Sequence, residues 1–250
     1  VVAVSEGTKA DILAHFDLDP AKVSVIYNGI NVDQYSPTPE TQALKKYGVN
    51  PNIPYVLFVG RITRQKGIVH LVNAVRYINP DVQVVLCAGA PDTKEILVEM
   101  EDAVDNIRNA GFNNVVWIQA MVSKEEAIQL YSHATVFCCP SIYEPFGIIN
   151  LEAMACRTAV VASAVGGIKE VVVDGVTGYL VPLEQQQVAP FEPVDPDRFS
   201  RDLATAINKI LDDPRLAESM AAAGQQRARD VFSWSSIAQQ TRSLYLSLLK

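Results

Sequence analysis

The chain has 250 residues, 49% of them hydrophobic, enough apolar material for one large domain or two small ones with a sizeable core. Lys and Arg number 21 against 28 Asp and Glu, a net charge of -7, which excludes a general nucleic-acid binder but not a local basic pocket for one anionic ligand. No stretch approaches the ~18 uninterrupted apolar residues of a membrane-spanning helix, and VVAVSEGTKADI at the start lacks the basic n-region of a signal peptide.

Residues 1–36 carry a strand (1–4), a helix (about 7–15) and a second strand (23–27), then the turn-rich NGINVDQYSPTPE, which reads as a linker. They look like the end of an α/β unit. Short apolar runs follow at 55–60, 82–89, 114–119, 135–140, 158–163 and 178–182, rich in β-branched residues and apolar on both faces. Helical patterns alternate with them at 66–78, 92–110, 123–131, 147–156 and 167–173. This rhythm predicts an α/β domain with a doubly wound, Rossmann-like parallel sheet and right-handed crossovers. Polar EQQQVAPFEPVDP (184–196) is a surface loop, and helices are expected at 195–211, 214–230 and 234–249. Cys87, Cys138, Cys139 and Cys156 all lie in apolar runs without zinc-site or disulfide spacing, so they read as buried free thiols of a reducing, cytoplasmic compartment. No metal site is expected, because the three His show no paired-ligand pattern.

Ligands of such sheets bind outside the carboxyl ends of the strands, so the segments that follow strands carry the chemistry. GRITRQKG (60–67) sets Arg61 and Lys66 five residues apart across a turn, a planar fork and a point charge suited to a doubly charged anion. A solvated basic loop would read the same way. CPSIYEPFGIINLEAMACR (139–157) carries Glu144 in a strand-to-helix turn and Glu152 about a turn and a half into an apolar helix. The helix start near Gly147 and Ile148 presents free N–H groups and a partial positive charge. Buried carboxylates need donors. Sugar hydroxyls are neutral donors that would serve, as would backbone N–H groups or a nearby Lys or Arg. Gly166 and Gly167 form a pair that lets backbone approach a ligand closely, or a plain loop.

Taken together, VSVIYNGINVDQY, FVGRITRQKG, CPSIYEPFGIINLEAMAC and VVASAVGGIKEVVVDGVTGYLV make the chain similar to the retaining glycosyltransferases of family 4. Those enzymes have the two-domain GT-B fold. GRITRQKG, LCAGAPDT and NLEAMAC bring it nearest to bacterial glycogen-synthase-type glucosyltransferases. The resemblance implies that Gly60, Arg61 and Lys66 serve the donor diphosphate, with Glu144 beside the transferred sugar. It implies backbone contacts from Phe146, Gly147 and Ile148, and Glu152 on the ribose. Gln119 to Val122, including Met121 and Val122, would face the base, with Gly166 and Gly167 nearby. Arg61, Lys66 and Glu144 would be the catalytic set, and neither metal nor cofactor is expected. The partners would be ADP-glucose or UDP-glucose and a glucan or small sugar acceptor. That acceptor would be held by an N-terminal domain, of which residues 1–36 would be a remnant. Residues 37–232 would be the nucleotide-sugar domain, and 233–250 the helix that returns to the N-terminal domain.

Two residues depart from the family's pattern: Arg157 stands where Gly is usual and Lys169 where Pro is common. Other readings are a non-catalytic nucleotide-binding module, an excised domain, or another GT-B enzyme such as a nucleotide-sugar epimerase. A glycogen-type phosphorylase would need a cofactor lysine in a context that the sequence does not show.

Overall fold

The computed structural model describes residues 1–249. Two short strands, β1 (Val2–Ala3) and β2 (Ser24–Val25), flank helix α1 (Glu6–His15) and pair in parallel as a sheet of their own. α1 buries none of its residues. A short helix, α2 (Gln42–Lys46), follows in a region without a sequence signal for one. Its apolar pair Ala43 and Leu44 is too brief to show a period, and packing beside Gln129 supports it.

The main sheet is built from β3 (Tyr55–Arg61), β4 (Gln83–Gly89), β5 (Val115–Ile118), β6 (Val136–Cys139), β7 (Ala159–Ser163) and β8 (Gly178–Val181). All pair in parallel in the order β5-β4-β3-β6-β7-β8. The order reverses between β3 and β6, which meet at Val56 opposite Val136 and Leu57 opposite Phe137. That reversal is the topological switch point, outside which doubly wound sheets bind ligands.

Side chains alternate between two cores, as the two-residue period of a strand requires. Val56 and Phe58 face one core; Tyr55 and Leu57 face the other. Helices α3 (Ile68–Ala74), α4 (Lys94–Asn109) and α8 (Pro196–Leu211) cover the first. The second is covered by α5 (Lys124–His133), α6 (Ile148–Ala155), α7 (Ile168–Val171) and the end of α9 (Pro214–Phe232). The predicted helix over 66–78 is shorter: 3-10 turns occupy 64–66 and 75–77 on either side of α3. Among the described residues, no helix is long and apolar enough to cross a membrane.

The expected helix at 234–249 is α10 (Trp234–Leu248); residue 250, the last of the predicted returning helix, lies outside the described residues. The linker meets the junction of α9 and α10 directly. Ile30 donates to the Phe232 carbonyl at 2.7 Å, and Trp234 donates to the Ile30 carbonyl at 3.2 Å. The Trp234 indole lies against Gly29, where a Cβ would come within 2.5 Å of the ring. Tyr27, Phe146 and Phe232 stack around one another, with centroids 5.4 to 5.9 Å apart. The Glu170 carboxylate accepts from the N–H groups of Glu6 and Gly7 at 2.8 and 3.2 Å and so caps the first turn of α1.

Arg157, the first departure from the family's pattern, has φ of 63°. Its backbone adopts the left-handed conformation that glycine favours, at about 1–2 kcal/mol for an L-residue. Its guanidinium reaches the exposed Glu218, a pair worth under about 1 kcal/mol. Replacing Arg157 by Gly is expected to leave stability within about 1 kcal/mol of the parent, since relief of strain offsets the looser unfolded chain. Arg157→Val, β-branched at the same φ, is expected to lose about 1–2 kcal/mol. Urea unfolding of the two variants measures the difference.

Candidate functional site

Two loops at the switch point build the site. After β3 the chain turns through Thr63, whose hydroxyl accepts from the Lys66 N–H at 3.1 Å, and then enters Gly67 at φ of 60°. A Cβ on Gly67 would lie 2.1 Å from the Pro140 carbonyl oxygen. The two loops are tied further by Ile142 N–H to the Gln65 carbonyl at 2.9 Å and by the Gln65 amide to the Tyr143 carbonyl at 3.1 Å. These contacts bring the Lys66 ammonium to 2.6 Å from a Glu144 carboxylate oxygen. Both side chains are largely withdrawn from water, at 18% and 11% exposure.

The resemblance sets Glu144 beside sugar hydroxyls; in the free protein its partner is this ammonium, with the Ser141 hydroxyl 3.5 Å away. Arg61 behaves differently. It pairs with Asp92 at 2.5 Å, in the open, at 63% side-chain exposure. The two cations expected to act together line two separate clefts.

The Lys66 cleft, about 330 Å³, is lined by Lys66, Glu144 and the backbone from Pro145 to Ile149, with Val4 and Asn28 on its far wall. Gly147 stands at φ of 99° and starts α6. Among the described residues, the N–H groups of Phe146, Gly147, Ile148 and Ile149 donate to no protein acceptor. Four unpartnered donors beside a fixed ammonium are chemistry that suits an anion. The Phe146 side chain points into the core, while Ile148 is partly exposed. The Arg61 cleft, about 230 Å³, is lined by Gly60, Arg61, Gly89 and Ala90 and by Gln119 to Val122, with Met121 91% exposed. Beside it the Trp117 indole donates to the Ala88 carbonyl at 2.8 Å.

The glycine pair brings backbone against backbone in the free protein. A Cβ on Gly166, at φ of 47°, would lie 2.0 Å from the Glu144 carbonyl oxygen. One on Gly167 would lie 2.5 Å from that of Pro145. The Gly167 N–H donates to the Glu144 carbonyl at 3.0 Å. The pair therefore lets one loop hold another, and Gly166 alone also lines a cleft next to Glu144, with Lys169 at its edge.

Glu152 stands apart from Glu144, half-buried on α6, and accepts from the Tyr131 hydroxyl at 3.0 Å. Tyr35, on the linker, is near enough to the same carboxylate to lower its pKa. Burial raises the pKa of Glu152 above the ordinary carboxylate range, and the two phenols oppose that rise. Neither tyrosine was legible as a site residue. Tyr131 lies 21 positions before Glu152 on another helix, and only the fold joins them. Among the described residues, no group of three or more His, Cys, Asp or Glu could hold a metal ion.

The two ion pairs should respond unequally to truncation. Lys66→Ala strands a mostly buried carboxylate and is expected to lower stability by about 2 kcal/mol or more. Arg61→Ala removes an exposed pair and is expected to change it by under about 1 kcal/mol. Thermal denaturation of both variants, compared with the parent, gives the ranking.

The family model described as glycosyl transferases group 1 matches residues 40–190, which include both switch-point loops and all of α6. The alpha-maltose-1-phosphate synthase of Mycolicibacterium smegmatis is 47% identical over 249 residues, covering 98% of this chain and 62% of the relative. Among solved structures, a sucrose-phosphate synthase from Thermosynechococcus elongatus superposes with a TM-score of 0.80 at 31% identity, over 100% of this chain and 58% of that one. The Anabaena protein HepE, solved with UDP-glucose, gives 0.82 at 26% identity over 99% and 63%. The chain thus spans about three-fifths of the length of the relatives it matches. Its sheet order, its switch-point loops and the matched family agree: the chain belongs to the group 1 glycosyltransferases and has the C-terminal domain architecture of the GT-B fold.

Proposed function

We propose that the chain is the donor-binding half of a retaining glucosyltransferase that moves glucose from ADP-glucose or UDP-glucose to a glucan or small sugar, without a metal. The observation that carries this reading is the single cleft lined by Lys66, Glu144 and the unpartnered N–H groups at the start of α6. A diphosphate entering it draws Lys66 away from Glu144. The freed carboxylate then accepts from hexose hydroxyls, so neither charge is left unpaired. Glu152 accepts from the ribose, and the Arg61 cleft takes the base, with Arg61 reaching the phosphates. UDP-glucose bound to HepE supports the donor class, and the name of the M. smegmatis relative supports a sugar acceptor.

In the transfer step the acceptor hydroxyl oxygen bonds to the anomeric carbon on the face from which the diphosphate departs. The bond from that carbon to the diphosphate oxygen breaks, and this oxygen takes the hydroxyl proton. Lys66, Arg61 and the N–H groups of Gly147 and Ile148 stabilise the charge that grows on the leaving group. Residues 1–36, with their separate small sheet, are assigned to an acceptor-binding domain. Residues 37–232 are assigned to the donor domain, and the segment from 233 onward to a return towards the first. Orientation of the acceptor and exclusion of water need both halves of the cleft. The isolated chain is therefore expected to bind donor and transfer no sugar.

Calorimetric titration with ADP, UDP, GDP and their glucose conjugates tests the reading. Glu144→Gln is expected to weaken the glucose conjugate more than the bare diphosphate, whereas Glu152→Gln weakens both alike. Lys66→Ala and Arg61→Ala should each weaken the diphosphate by about 1.5–3 kcal/mol. Equal effects of the two Gln variants on every ligand would refute the division of roles. Sugar transfer by the isolated chain at the rate of a complete enzyme would refute the half-site assignment.

A further inference from the structure

The Glu152 carboxylate sits on an apolar helix, among Leu151, Ala153 and Met154, where an acceptor without donors is costly. What satisfies it is a phenol that cannot move. Tyr131 is fully buried, its ring lies edge-on to Phe137 at 5.4 Å, and its own carbonyl accepts from the Thr158 hydroxyl at 2.5 Å. Among the described residues, its hydroxyl has Glu152 as its partner. Tyr35, on the linker, is near enough to Glu152 to lower its pKa, and its own N–H is tied to the Asn31 carbonyl at 2.9 Å.

We infer that Tyr131 is a positioning residue for the nucleotide: its hydroxyl, with Tyr35 close by on the linker, holds the Glu152 carboxylate in the orientation that accepts from the two vicinal hydroxyls of a ribose. A carboxylate has about four acceptor positions, so the Tyr131 phenol leaves room for both hydroxyls of the sugar. This inference rests on the ribose assignment of Glu152.

The groups that face Glu152 are Tyr35 from the linker, Tyr131 and Lys124 from α5, and Cys156 just past the end of α6. Burial raises the pKa of Glu152; the two phenols and Lys124 lower it. A raised carboxyl delivers its acceptor form above its pKa and loses it as the pH falls. Removing one phenol moves that loss to higher pH.

The test is the affinity of the chain for ADP and UDP, and for their 2′,3′-dideoxy forms, across pH. In Tyr131→Phe the acid limb of ribonucleotide binding is expected to move to higher pH. Affinity on that limb should fall about three- to tenfold, with dideoxy binding unchanged. Tyr35→Phe, at the less buried linker, is expected to shift the limb in the same direction by less, and it carries the test if Tyr131→Phe does not fold. Glu152→Gln is expected to abolish the preference for ribose over dideoxyribose. If it does not, the ribose assignment fails, and the inference with it. If it does, yet both Phe variants keep the parent's pH profile and affinity, the tyrosines are packing residues and the inference is overturned. Loss of thermal stability alone in the two Phe variants overturns it as well.

Discussion

A carbonyl oxygen and a methyl group cannot share the same space, and the site hangs on two places where that conflict is avoided. The segment from Pro140 to Gly147 leaves the sheet at the switch point and is gripped from both sides. Gly67 brings the preceding loop against the Pro140 carbonyl, and Gly166 brings the following loop against that of Glu144. Any side chain at either position would push the loops apart by more than an ångström. Lys66 and Glu144 come from different loops, so their 2.6 Å pairing records how closely those loops are held.

That grip gives the free protein a defined electrostatic state. Lys66 and Glu144 cancel each other in a place with little water, whereas Arg61 and Asp92 meet in the open. A ligand faces different costs at the two pairs. At the exposed pair it displaces a solvent-screened contact worth little. At the withdrawn pair it must replace both partners at once, because one charge left alone there is far more costly than the pair intact. A ligand carrying both an anion and neighbouring hydroxyls meets that demand within a single molecule. This is a physical reason for a cleft to hold a lysine and a carboxylate side by side.

Much of this was legible in the sequence. Each main-sheet strand falls within a residue or two of its apolar run, because β-branched residues flanked by turns leave few other options. The motifs that follow β3 and β6 identified Arg61, Lys66, Glu144 and Glu152 as the polar residues the fold would gather near the strand ends. The sequence could not say what those residues meet in the free protein. Pairing of Lys66 with Glu144, 78 positions apart, and of Glu152 with Tyr131 depends on loop closure and helix packing, which no local period encodes. The glycine pair at 166–167 reads as a close approach, and in the free protein the neighbouring loop's backbone is one thing it approaches. α2 escaped notice because five residues are too few to show a helical repeat.

The Trp234 indole resting on Gly29 has an optical consequence. The chain contains two tryptophans. Trp117 stands in the strand beside the Arg61 cleft, and Trp234 marks the junction of the linker with α10. Indole emission responds to local polarity. Trp234 is 56% exposed, one edge to solvent and one face on the linker backbone. Any sliding of the linker across it changes how much of that face is wet. Intrinsic fluorescence therefore has one natural reporter beside the Arg61 cleft and one at the junction of the linker with α10, and replacing either tryptophan with phenylalanine separates their signals.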